Sequence, residues 1–87
     1  MAQRTIRLQV EGGLHARPAS HVVKLGKKFK SRITFRYEDK EANGKSLLGI
    51  IALGADEGQT VTLTVEGEDE NAALEEIASY LTGVVGE

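Results

Sequence analysis

In Thr60-Val61-Thr62-Leu63-Thr64-Val65 every second residue is apolar and every other one is threonine, and no stretch of the chain limits the fold more tightly. Successive side chains of a strand point to opposite faces, so this strand belongs to a sheet with one face towards the core and one towards water. Two further stretches have the same period. Ile6, Leu8 and Val10 alternate with Arg7, Gln9 and Glu11, and a strand here is expected to end in the Gly12-Gly13 pair. Ile33, Phe35 and Tyr37 alternate with Thr34 and Arg36. Glu38-Asp39-Lys40 turns the chain, leaving Glu41-Ala42-Asn43 as a short polar edge strand.

Three other segments read as helices. Ala19, Val22, Val23, Gly26 and Phe29 recur at spacings of three and four, which predicts a helix from about Ala16 to Lys28. Ser46 to Gly54 reads as a short helix, with Ser46 a candidate N-cap and Gly54 a candidate C′ residue. Gly67 ends the last strand, Asp69 is a candidate N-cap, and Leu74, Ile77, Ala78 and Leu81 line the inner face of a final helix. Its acidic residues read as a solvated face.

The order is strand, helix, two strands, short helix, strand, helix. One architecture buries all these stripes together: an α+β two-layer sandwich, a four-stranded antiparallel sheet with three helices on one face. The 87 residues are expected to form a single domain, 1–87, with one modest core. A net charge of −2 gives no electrostatic basis for binding nucleic acid or a membrane surface. There is no cysteine, hence no disulfide or thiolate metal site. No stretch approaches membrane-spanning length, so a cytoplasmic monomer is the expectation.

The chemistry concentrates in Gly12-Gly13-Leu14-His15-Ala16-Arg17-Pro18-Ala19-Ser20. Proline is favoured in the first helical turn, where its fixed φ is already helical. His15 therefore stands at the mouth of a helix, where free amides and the helix dipole suit an anion, above all a phosphoryl group. A neutral imidazole is a competent nucleophile at cellular pH. Arg17 can fork two donors onto phosphoryl oxygens, and Ala16 supplies a first-turn amide. The arrangement favours transient phosphorylation of His15; the plainer reading is a surface or capping histidine. His21 lies six residues further on, out of step with an i,i+4 metal pair, and neither a metal nor a cofactor is expected.

Leu47, Leu48, Ile50, Ile51 and Leu53 crowd one short helix, so some must face water. Core packing is expected for Leu53 and for Ile50 or Ile51. The residues left over, with Leu14, would form an exposed apolar docking patch. Lysines beside it would steer an acidic partner. A phosphate on Ser46 would add negative charge at the edge of that patch.

Gly13-Leu14-His15-Ala16-Arg17-Pro18-Ala19 resembles the active-site signature of the HPr family, the histidine phosphocarriers of the bacterial phosphoenolpyruvate:sugar phosphotransferase system. Asn43-Gly44-Lys45-Ser46-Leu47-Leu48-Gly49-Ile50-Ile51-Ala52-Leu53-Gly54 is similar to the regulatory-serine segment of that family, and Gly67-Glu68-Asp69-Glu70-Asn71-Ala72 to the lead-in of its last helix. The resemblance spans the chain. It implies an open-faced β-sandwich and no enzyme activity of its own. It also implies a carrier that takes a phosphoryl group on Nδ1 of His15 from phosphorylated enzyme I and passes it to enzyme IIA domains of sugar permeases. Arg17 would partner the phosphoryl group. Lys24, Lys27 and Lys28 would form the basic, partner-facing side of the first helix, and Leu47, Leu48 and Ile51 the apolar patch. Ser46 would be the target of an HPr kinase/phosphorylase. Gly44 departs from the family, where a larger residue is common. Members that only regulate lack the histidine, which is present here.

Two neighbouring readings are a nitrogen-branch phosphocarrier and a regulatory module that binds a transcriptional regulator when Ser46 is phosphorylated. The Ser46-Leu47-Leu48-Gly49 block favours the sugar branch. A small-molecule-binding domain ranks last, because so short a chain has little volume for a deep pocket.

Overall fold

In the computed structural model, residues 1–83 are described. The elements run β1 (Ala2–Arg7), α1 (Ala16–Lys27), β2 (Arg32–Tyr37), β3 (Lys40–Asn43), α2 (Leu47–Ala52), β4 (Thr60–Glu66) and α3 (Glu70–Leu81). The strands form one sheet in the order β1-β4-β2-β3, antiparallel at every pairing. The four-stranded antiparallel α+β architecture expected from the alternation is therefore present.

Register explains which residues meet. Ile6 pairs with Val61, and Leu63 stands between Arg4 and Phe35. Phe35 in turn pairs with Ala42. Ile6, Val61, Leu63, Phe35 and Ala42 are all buried on the helix side. The opposite face carries Gln3, Thr64, Thr34 and Asn43 in one row and Thr5, Thr62, Arg36 and Glu41 in the next. Buried Ala19 and Val22 of α1, Ile50 of α2, and Leu74, Ile77 and Leu81 of α3 close the core. Completely burying a side chain of Val, Leu or Ile size contributes roughly 1.5–3 kcal/mol, so these stripes hold the two layers together.

The alternation at the N-terminus outlasts the strand. Arg7↔Thr60 is the last rung between β1 and β4, so β1 stops there and not at the glycine pair. Leu8 remains fully buried because its N–H donates to the Gln59 carbonyl (2.8 Å) and its own carbonyl accepts from Gly58 N–H (2.8 Å).

Asp69 occupies the N-cap position of α3, but its side chain does not cap that helix. It accepts instead from Lys30 N–H (2.8 Å), Ser31 N–H (3.0 Å) and the Ser31 hydroxyl. Three converging donors from the α1–β2 loop offer more than two helix amides, and together they hold the Asp69 carboxyl below the usual carboxylate range, the hydroxyl contributing most. Glu70, the first residue of α3, accepts from Gly67 N–H (3.1 Å) and so ties the helix start to the turn that precedes it. Nor is the acidic face of α3 merely solvated. Glu75 takes both ends of the Arg4 guanidinium (3.3 and 2.5 Å) and Glu76 pairs with Lys28, tying α3 to β1 and to the end of α1.

Gly44 has a packing role. A side chain there would overlap Ile33, whose carbonyl accepts from Gly44 N–H at 2.7 Å.

Candidate functional site

His15 is the N-cap of α1, extended at φ −85° and ψ −170°, and its carbonyl accepts the first helical bond from Ala19 (2.9 Å). Ala16, Arg17 and Pro18 are the first three helical residues. Pro18 has no N–H, and the amides of Ala16 and Arg17 precede any intrahelical acceptor, so both point out of the helix end. No acidic residue lies in this first turn, which leaves the positive end of the dipole uncompensated.

The imidazole is held from behind. Its Nε2 lies 3.2 Å from the carbonyl oxygen of Glu11. A carbonyl only accepts, so Nε2 carries the proton and Nδ1 is left with its lone pair. The ring rests directly on Gly12, where any Cβ would overlap it. Gly12 and Gly13 have φ of +79° and +70°, the left-handed region in which glycine alone is unstrained. This bent loop is anchored by Gly13 N–H to the Val10 carbonyl (3.0 Å), Leu14 N–H to the Ala55 carbonyl (2.9 Å) and Gly12 N–H to Glu57 Oε1 (3.2 Å).

His15, Ala16 and Arg17 line one open depression together with Val10 and Tyr80. Arg17 also lines an adjoining hollow with Ser20, His21, Lys24 and Tyr80. His21 is exposed and stacks on Tyr80 with ring centroids 4.1 Å apart and planes at 27°. Among the described residues, Arg17 and Lys24 take part in no ion pair, so their charge faces the depressions. Lys27 is exposed and likewise unpaired there. Lys28 differs: its ammonium pairs with Glu76 and sits 5.8 Å from the Phe29 ring, which reduces what it offers a partner.

Ser46, Leu47, Leu48 and Ile51 lie outside the histidine depression, on α2, which packs against α1. Ser46 is the N-cap: its Oγ accepts from Gly49 N–H at 3.1 Å. Ile50 and Leu53 are buried. Leu48 is 79% exposed, Leu47 40%, and Ile51 is half-buried against the core. Leu14 does not join them. It is 2% exposed, because the bond from its N–H to Ala55 draws the residue down into the core. The expected apolar patch is corrected to Leu47 and Leu48, with the edge of Ile51.

Three contributors escaped the sequence reading. Gly12 had a signal, since a glycine beside a candidate nucleophile marks close backbone approach. Tyr80 and Glu57 had none, because each reaches the site only through the tertiary fold.

The PTS-HPr family, described as the PTS HPr component phosphorylation site, matches residues 2–82. The phosphocarrier protein HPr of Buchnera aphidicola subsp. Acyrthosiphon pisum is 43% identical over 82 residues, covering 94% of this chain and 96% of that protein. The HPr-like protein Crh of Bacillus subtilis is 37% identical over 81 residues, covering 93% and 95%. The crystal structure of HPr-C-His from Thermoanaerobacter tengcongensis superposes with a TM-score of 0.92 at 38% identity, covering 100% of this chain and 98% of that one.

Proposed function

This chain belongs to the HPr phosphocarrier family, and from that premise we propose that it carries a phosphoryl group on Nδ1 of His15. The carrying observation is the bond between His15 Nε2 and the Glu11 carbonyl, which leaves Nδ1 as the nucleophilic nitrogen at a helix N-terminus. Phosphorylated enzyme I is the donor and an enzyme IIA domain of a sugar permease the acceptor. The Nδ1 lone pair forms the new N–P bond while the bond from phosphorus to the donor breaks, its electron pair leaving with the donor group. Nε2 keeps its proton throughout. Arg17 and the amides of Ala16 and Arg17 meet the phosphoryl oxygens, and the cost of developing charge is lowered by the helix end. The protein is thus a stoichiometric carrier, working as one domain and a monomer in the cytoplasm.

Docking uses exposed Leu47 and Leu48, the edge of Ile51, and the cations Lys24 and Lys27 on the neighbouring helix, with a smaller contribution from Lys28. That pairing of apolar and basic surface suits an acidic partner. Phosphorylation of Ser46 by an HPr kinase/phosphorylase would place a dianion beside Leu47 and repel such a partner. Among the described residues no helix is long and apolar enough to cross a membrane.

Intact mass after incubation with phosphoenolpyruvate and purified enzyme I tests the proposal, with His15→Ala alongside. One acid-labile phosphoryl group on the parent and none on the variant is the expected result. A parent that gains nothing with a validated enzyme I overturns it.

Likeness to Crh, whose solution structure is described as that of the catabolite repression HPr of Bacillus subtilis, supports a second reading. There the chain is a regulatory module switched at Ser46. Tighter capture of a transcriptional regulator by Ser46→Asp than by the parent would favour it; equal capture would remove it.

A further inference from the structure

The Glu11 carbonyl that holds His15 and the Gly12 N–H that donates to Glu57 belong to one peptide group. In a trans peptide these two groups point in opposite directions. The result is an unbroken chain: His15 Nε2–H to the Glu11 carbonyl, then Gly12 N–H to the Glu57 carboxylate. We propose that Glu57, 45 positions further along the chain than Gly12, is a positioning residue of the phosphoryl-acceptor site, acting on His15 through the Glu11–Gly12 peptide. The inference rests on the reading of His15 as phosphoryl acceptor and deepens it.

Hydrogen bonds in series polarise one another. A carboxylate accepting from Gly12 N–H pushes electron density along the peptide onto the Glu11 carbonyl oxygen and makes it a stronger acceptor. When Nδ1 binds phosphorus, the ring becomes electron-poor and its Nε2–H more strongly donating. The Glu57 charge then reaches the ring at the moment it is useful, without contacting the ring. The peptide is also held in place, which matters because Gly12 has no side chain to restrain it and sits at φ +79°.

The turn carrying Glu57 is built to stay in register with the histidine loop. Ala55 accepts from Leu14 N–H (2.9 Å), Gly58 N–H donates to the Leu8 carbonyl (2.8 Å), and Gln59 accepts from Leu8 N–H (2.8 Å). Within the turn, Gln59 Oε1 accepts from Asp56 N–H (2.7 Å). Glu57 is therefore delivered to Gly12 by bonds on both of its flanks, although it is itself exposed.

Glu57→Ala and Glu57→Gln separate the relay from simple loop support, since glutamine still presents an accepting oxygen to Gly12. The readouts are the Gly12 amide proton shift and the Nε2 nitrogen shift of neutral His15, from long-range proton–nitrogen correlation spectra of the unphosphorylated protein. The alanine variant is expected to move both resonances towards those of an unbonded amide and a free imidazole. It should also slow phosphoryl acceptance from enzyme I severalfold. Glutamine keeps the accepting oxygen but not the charge, so it should restore the Gly12 amide shift while leaving the His15 shift and the acceptance rate between those of alanine and the parent. Unchanged His15 resonances in the alanine variant, or full recovery of the His15 shift and the acceptance rate with glutamine, overturn the inference. The spectra need no phosphoryl donor, so they judge the relay even if enzyme I leaves His15 unmodified. Normal phosphorylation with unmoved spectra would leave the carrier standing and remove the relay.

Discussion

His15 Nε2 and the carbonyl oxygen of Glu11 stand 3.2 Å apart, four residues along the same chain. The contact closes because Gly12 and Gly13 both take left-handed backbone angles between the two residues. It decides which ring nitrogen carries the proton, and so which one is free to accept phosphorus.

Gly12→Ala tests whether this seating matters. The new methyl would overlap the imidazole and sit at φ +79°. Left-handed backbone costs a non-glycine residue roughly 1–2 kcal/mol, so stability should fall by about that much in urea unfolding. Phosphoryl acceptance by His15 should fall more steeply than stability does. A variant with the parent's acceptance rate would show that the ring position over Gly12 is immaterial.

Ser46 has two separable roles. Ser46→Ala removes the acceptor for Gly49 N–H and should destabilise the protein by about 1 kcal/mol. Ser46→Asp keeps an N-cap acceptor, so its thermal midpoint should stay near the parent's. Its negative charge beside Leu47 and Leu48 should nonetheless weaken binding to an acidic partner, measured by calorimetry against enzyme I. If Ser46→Asp lost stability as Ser46→Ala does, capping would not be what the serine supplies.

The β2–β3 hairpin carries an uncompensated strain. Glu38 has φ +56°, the one non-glycine residue with positive φ among those described. Turn positions of this kind favour glycine or asparagine. Glu38→Gly should therefore stabilise the fold by roughly 0.5–1 kcal/mol, with no effect on phosphoryl transfer, because the hairpin lies at the sheet edge away from His15. A loss of stability in thermal unfolding would contradict the assignment of strain.

Acid should loosen the packing of α3. The Asp69 carboxyl is held low by the Ser31 hydroxyl and by the amides of Lys30 and Ser31, and Glu75 by Arg4. A carboxyl depressed in the folded state contributes stability above its unfolded value, near pH 4, and loses it as pH falls through the folded value. The thermal midpoint should thus drop as pH falls below about 4. Asp69→Asn should start from a lower midpoint and show a shallower drop. An equal pH slope in parent and variant would dissociate Asp69 from acid sensitivity.

The elements with one clear period were legible in the chain. Thr60 to Val65 alternates without exception, and Pro18 with the stripe from Ala19 to Phe29 placed α1 within a residue of its Ala16–Lys27 bounds. Ser46 and Gly54 marked the limits of α2 because capping and left-handed backbone are local requirements; Gly54 indeed has φ +72°. What stayed hidden depends on distant partners. Leu14 reads as a candidate surface residue until Ala55 is placed beneath it. Asp69 has the right type and position for a cap, yet the loop at Lys30 and Ser31 claims its oxygens. Glu57 reads as one residue of a turn, and only the fold lays it against Gly12.

The most direct test of the account is the nitrogen to which phosphorus is bound. Protein labelled with nitrogen-15 and phosphorylated by enzyme I would be examined for phosphorus–nitrogen coupling in the ring of His15. Coupling to Nδ1, with Nε2 still protonated, is the predicted result. Coupling to Nε2, or phosphorus on any residue other than His15, would contradict the assignment of Nδ1 as the nucleophile exposed by the Glu11 bond.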